Sequence, residues 1–141
     1  MNTIVRIHNK GAYRYEEFDA GESGIYPGML LEVNSDGEVI KHNSSATVAE
    51  KMFAMEDALQ GEDVTDVYTS GTTVCVLIGQ SGTVVNALCN SGTNYTKGLI
   101  VESNGDGTLK SGSTAPVGVV EVASDLTVSG AVDSLVPIRL L

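Results

Sequence analysis

Gly28-Met-Leu-Leu-Glu-Val-Asn-Ser-Asp-Gly-Glu-Val39 and Gly98-Leu-Ile-Val-Glu-Ser-Asn-Gly-Asp-Gly-Thr-Leu109 align at a constant offset of seventy residues. Glycine, Glu, Asn, Asp and Gly coincide, and the three residues after the first glycine are apolar in both copies. Each copy reads as a Leu/Ile/Val strand, an Asx-Gly turn and the start of a return strand. A unit that recurs once predicts a small β-fold built from two similar halves.

Working outward, residues 52–57 set two rules against each other. The spacing of Val48, Met52, Met55 and Leu59 favours a helix. The matching place in the second half, Pro116-Val-Gly-Val-Val-Glu-Val122, is strand-like, and setting Ala54-Met-Glu56 on Val119-Val-Glu121 keeps a glutamate in register. Residues 52–57 are therefore expected to be strand, with at most one helical turn beside them. Residues 73–78 form a strongly apolar strand whose partner in the other half is the terminal Leu135-Val-Pro-Ile-Arg-Leu-Leu141. Gln80-Ser-Gly-Thr83 turns the chain into a strand over residues 84–88.

The expected organisation is an N-terminal arm, residues 1–19, without a counterpart in the second half, followed by one β-domain, residues 20–141. Its pseudo-repeat halves run from about 20 to 78 and from 90 to 141. No Ser/Gly linker separates the halves, so they are expected to share a core. The fold class is all-β: a compact β-clip-like barrel of short, mostly antiparallel strands, with at most one or two short helical turns.

A chain of 141 residues is long enough to bury roughly 68% of its unfolded surface. Eighteen acidic residues against eight scattered basic ones give a net charge of −10. Phosphate backbones would repel such a chain, so direct nucleic-acid binding is not expected. The longest apolar run, Val74-Cys-Val-Leu-Ile78, is too short to span a bilayer, and no membrane association is expected. The N-terminus lacks the apolar core of a signal peptide, which points to synthesis in the cytoplasm. In that reducing compartment Cys75 and Cys89 are expected to be two buried free thiols, although a hairpin would also let them meet.

Candidate chemistry is sparse. Asn34-Ser-Asp-Gly37 and Asn104-Gly-Asp-Gly107 look like fragments of a calcium loop but lack the further ligands and terminal glutamate, so they read as hairpin turns. Glu56, Asp57, Glu62, Asp63 and Asp66 read as a solvated acidic loop. Because the second half lacks this stretch, Glu62, Asp63 and Asp66 are candidates for a specialised contact. His8 and His42 sit in polar neighbourhoods and make no metal-ligand spacing with either cysteine. No nucleophile, base and orienting group can be named together. The sequence therefore predicts no catalytic residue, no cofactor and no metal.

Five pieces in order carry a family likeness: Tyr26-Pro-Gly-Met-Leu-Leu-Glu-Val33, Phe53-Ala-Met-Glu-Asp-Ala-Leu-Gln-Gly61, Val67-Tyr68 with Gly71 and Val74-Cys-Val-Leu77, Lys97-Gly-Leu-Ile-Val-Glu-Ser-Asn-Gly-Asp-Gly-Thr-Leu109, and Val117-Gly-Val-Val-Glu121. Together, over residues 21–140, they resemble the head-decoration, or capsid cement, proteins of tailed bacteriophages. The resemblance implies a β-tulip or β-clip fold and a non-enzymatic virion protein on the outside of the expanded head. It also implies homotrimers that brace neighbouring major capsid subunits. An N-terminal arm lying along the capsid implies contact candidates Asn2, Thr3, Ile4, Val5, Arg6, Ile7 and Arg14. The competing expectations are a tail- or fibre-associated virion β-domain and an enzyme on a clip-like fold.

Overall fold

A computed structural model describes residues 6–122, 127–128 and 133–141. The chain is all-β, with thirteen short strands and one 3-10 turn among the described residues. In order they are β1 (His8–Lys10), β2 (Tyr13–Asp19), β3 (Leu31–Val33), β4 (Val39–Lys41), β5 (Met52–Ala54), the 3-10 turn (Ala58–Gln60), β6 (Thr73–Gly79) and β7 (Val84–Cys89). There follow β8 (Tyr95–Thr96), β9 (Ile100–Ser103), β10 (Leu109–Ser111), β11 (Pro116–Val120), β12 (Thr127–Val128) and β13 (Ser134–Leu140).

The second half closes into a five-stranded barrel. Strand β7 pairs with β13, β13 with β11, β11 with β9 and β9 with β10, all antiparallel; a parallel bridge between Leu109 and Cys89 returns β10 to β7. The first half repeats this ring in the same order. Strand β2 pairs with β6 and β6 with β5; a bridge from Phe53 to Leu30 leads to β3, β3 pairs with β4, and a parallel bridge joins Val39 to Ala20 at the end of β2. The β3–β5 contact is a single bridge where the matching β9–β11 contact is a ladder, and a single parallel bridge closes each ring.

The echo thus extends further than the sequence showed. Strand β2, expected in a free arm, occupies the place in the first ring that β7 holds in the second. Gly21 donates to Val39 O as Asn90 donates to Leu109 O, which sets β2 on β7 at an offset of sixty-nine. The register around β5 also differs from expectation. Gly28 donates to Ala54 O as Gly98 donates to Val120 O, so Glu56 matches Val122 and not Glu121. Strand β5 ends at Ala54, and the one helical turn follows it. Strand β13 stands where β6 stands in the first half, but the two do not pair with each other.

The shared residues now have assigned work. Asn34 Oδ1 accepts the backbone N–H groups of Asp36 and Glu38, closing the first turn. In the second turn Asp106 Oδ1 takes the corresponding load, accepting the Thr108 N–H and hydroxyl. Burial alone would raise the Asp106 pKa, but these bonds and the Asn104 amide hold it below the usual carboxylate range. Glu32 Oε1 accepts the Asn43 N–H at 3.0 Å, and Glu102 Oε1 accepts the Thr114 N–H at 2.9 Å. The repeated glutamate therefore ties down the chain after each return strand. Gly112 leaves room beside it: a Cβ there would overlap the Glu102 carboxylate, which would have to move.

Strand alternation sends neighbouring side chains to opposite faces. Leu31, Met52, Ala54, Val74 and Val76 fill the first ring with Ala20, Ile25, Val39 and Tyr68. Leu30, Phe53 and Leu77 point the other way, into the core of the second ring with Val85, Val101, Leu109, Val136, Ile138 and Leu140. Backbone bonds cross the same seam: Leu30 N–H to Gly107 O at 2.8 Å, Leu88 N–H to Gly28 O at 2.8 Å and Ala46 N–H to Ser103 O at 3.0 Å.

Gly28 and Gly98 have φ of +93° and +89°, a backbone region that costs an L-residue about 1–2 kcal/mol. Only Gly28 lies on the seam: a Cβ there would meet Leu135 Cδ2 at 2.6 Å and Asn86 O at 3.1 Å, whereas one at Gly98 meets open space. Gly98→Ala is expected to destabilise the chain by about 1–2 kcal/mol. Gly28→Ala is expected to cost a further ~1–3 kcal/mol for the steric part. Urea denaturation of both variants checks the difference; equal losses would remove the seam contact from the account.

Candidate interaction surface

The N-terminal segment crosses from one ring to the other. Strand β1 pairs antiparallel with β7, His8 opposite Val85, and the chain then runs through Gly11 into β2 of the first ring. Ile7 is fully buried in the shared core, and Asn86 donates its N–H to Ile7 O at 2.7 Å and its side-chain amide to Arg6 O at 2.6 Å. Residues 6–19 are thus part of the body. Ile7 is corrected from a capsid-contact candidate to a core residue. Asn2, Thr3, Ile4 and Val5 lie outside the described residues, while Arg6 and Arg14 remain exposed.

The anchor of this segment is Glu56. Its carboxylate accepts the Ile7 N–H at 3.0 Å and lies 3.6 Å from the Arg6 guanidinium, with the glutamate side chain 5% exposed and the arginine 54%. Glu56 therefore leaves the solvated acidic loop in which the sequence had placed it. Its partner lies forty-nine residues away, so no local pattern marks it.

Glu62, Asp63 and Asp66 are exposed as expected. They follow the 3-10 turn, which Gly61 ends with a left-handed φ of 76°. Asp63 Oδ1 accepts the Thr65 N–H and hydroxyl, and Asp66 Oδ2 accepts the Asp63 N–H at 2.8 Å. The Thr65 bonds hold the Asp63 carboxyl below its usual range. Leu59, 90% exposed, stands on the same excursion, and beside it Asp57, Gln60, Glu62, Val67 and Thr72 line an open cleft of about 310 Å³. The loop is a self-braced acidic knob with an apolar tip.

Other reactive groups are in structural positions. Cys75 and Cys89 are free and buried, as expected; burial raises both thiols, Cys89 to about 12, which disfavours the reactive thiolate. Tyr15 lies with its hydroxyl 3.2 Å from Cys75 Sγ and 2.9 Å from Glu17 Oε1, and contact with the thiol, partial burial and the glutamate raise its pKa. His42 corrects its sequence reading: it is buried at the seam, with Nδ1 2.6 Å from Ser103 Oγ of the other half. Among the described residues no group of three or more His, Cys, Asp and Glu side chains is placed to hold a metal ion.

No family model and no curated protein matches the chain.

Glu56→Ala would strand the buried Ile7 N–H, at a cost of about 1–3 kcal/mol. Arg6→Ala, which removes only the half-exposed partner, should cost less than about 1 kcal/mol. Limited proteolysis is the check: Glu56→Ala should open the segment before Tyr13 to cleavage, and Arg6→Ala should not. Equal resistance in both variants would remove Glu56 as the anchor.

Proposed function

We propose that the chain is a structural virion protein of the capsid-decoration type, binding the outer surface of an expanded phage head and bracing neighbouring major capsid subunits, with copies of itself as further partners. One observation carries this reading. The five pieces that bear the family likeness fall, in their order, on strands of the double ring and the turns between them: β3 and the turn before it, β5 with the 3-10 turn, β6 and its approach, the β9–β10 hairpin and β11.

The surface is compatible with this role. A cement protein needs a rigid body and protruding contacts, not a reaction centre. The knob with Leu59, Glu62, Asp63 and Asp66 and the exposed side chain of Arg6 are the contact candidates, with residues 1–5 adjoining Arg6 in the chain. A net charge of −10 disfavours contact with DNA. No helix among the described residues is long and apolar enough to cross a membrane.

Antibody-labelled electron micrographs of virions made with and without the chain test the proposal. Label spread over the whole head, lost when the chain is omitted, is the expected result. Label confined to the tail or to one vertex would overturn it and favour the tail- or fibre-associated alternative.

A further inference from the structure

Among the described residues strand β2 has an open edge, and the internal repeat shows what such an edge holds. The Met55 N–H bonds Cys75 O and the Gly79 N–H bonds Lys51 O, so the odd-numbered residues of β6 face β5. Val74, Val76 and Ile78 consequently face β2, where they stand opposite Phe18, Glu16 and Arg14. The backbone groups of Tyr13, Tyr15 and Glu17 point the other way, and none has a backbone partner there among the described residues. At the offset of sixty-nine, Tyr15, Glu16 and Glu17 correspond to Val84, Val85 and Asn86 of β7. That stretch of β7 is covered: β1 pairs with Val84 and Val85, and Asn86 N–H bonds Ile7 O. Among the described residues, the same slot is filled in the second ring and open in the first.

The chemistry of the two slots differs in a directed way. The segment that fills the β7 slot is basic, with Arg6, His8 and Lys10 around Ile7. Along the open β2 edge stand Glu16, Glu17 and Asp19 against Arg14, which is already engaged by Glu16 at 3.2 Å. Tyr13 and Tyr15, 41% and 44% exposed, flank the edge with apolar area. Clefts open at both ends, one of about 330 Å³ by Ala12, Tyr13 and Gln80, the other of about 360 Å³ by Glu17, Asp19 and Gly37. Unpaired edge groups are a template for strand addition, and side chains beside them set the preference for the added strand.

We infer that the β2 edge, centred on Tyr15 and Glu17, is a docking site for an extended lysine- or arginine-bearing segment of a partner protein, added as an antiparallel strand. This inference does not rest on the virion reading: it follows from the ring repeat and the charge of the edge, whatever particle or complex carries the chain.

The probe is a synthetic peptide copying residues 4–10, Ile-Val-Arg-Ile-His-Asn-Lys, added to the full chain and followed by amide hydrogen exchange and fluorescence anisotropy. The peptide should slow exchange at Tyr13, Tyr15 and Glu17 and leave Asn86 unchanged. A peptide carrying Arg6→Glu and Lys10→Glu should bind roughly tenfold more weakly or worse. Two chain variants separate the contributions. Glu17→Lys reverses charge at the edge and should weaken binding by roughly tenfold. Glu17→Pro removes an outward N–H without touching the β2–β6 ladder and should abolish the protection.

Three results would overturn the inference. One is no slowing at Tyr15 and Glu17, or slowing only at Asn86, where the peptide would be displacing β1. The second is equal binding of the acidic peptide. The third is concentration-dependent protection of the edge without peptide, which would put a second copy of the chain there.

Discussion

Strands β5 and β6 of the first ring, and the Leu30–Leu31 step into β3, carry apolar side chains on both faces, and neither face can be left in water. Leu30 and Leu31 are adjacent and both fully buried; Phe53 is fully buried between Met52 and Ala54, which point the other way. A ring of short strands has room inside for one face only, so the other must find a second apolar surface. The second ring supplies it. Burying a side chain such as Phe53 or Leu77 contributes about 1.5–3 kcal/mol, and that gain exists only when the rings are together. Gly79 shows how close the approach is: a Cβ there would overlap Leu140.

From this constraint follows the path of the N-terminal segment. Crossing the seam once, it adds β1 to the second ring and β2 to the first, with Ile7 sealing the core between them. The buried carboxylate of Glu56 satisfies the Ile7 N–H, a backbone donor buried where the segment crosses. His42 and Ser103 satisfy each other in the same way further along the seam. The polar groups buried at the seam are thus explained by the join, which is why they do not read as chemistry. What remains for contact with other molecules lies away from the join, in the knob after β5 and along the uncovered edge of β2.

The all-β class, the two halves, the Asn34 and Asn104 turns and the shift of residues 52–54 to strand were all legible in the sequence. Each depends on residue types that have to recur locally: glycine where φ is positive, Asx where a turn must close, alternating apolar residues where two faces are buried. The match of β2 to β7 was not legible, for a physical reason. In β7 the outer edge is covered, and Val84 and Ala87 are apolar and buried; in β2 the same edge is open, and Tyr13, Arg14, Tyr15 and Glu17 are exposed. Only Phe18 and Ala20 keep the apolar positions that face the ring interior, too few to register as a repeat. Glu56 was misplaced because the acidic residues that follow it, Glu62, Asp63 and Asp66, are exposed while its own partners are Arg6 and Ile7. His42 was read as polar-lined because Ser103, its partner, is sixty-one residues away.

Each ring has one buried free thiol on its strands, Cys75 on β6 of the first and Cys89 on β7 of the second, which makes the central claim directly measurable. Pulsed thiol labelling across a urea gradient, read by mass spectrometry of the two cysteine-bearing peptides, reports the opening of each ring separately. Two rings that bury each other's faces unfold as one cooperative unit, so both cysteines should become reactive at the same urea midpoint. Separate midpoints, with one thiol labelled while the other stays protected, would contradict the shared seam as the source of the fold's stability.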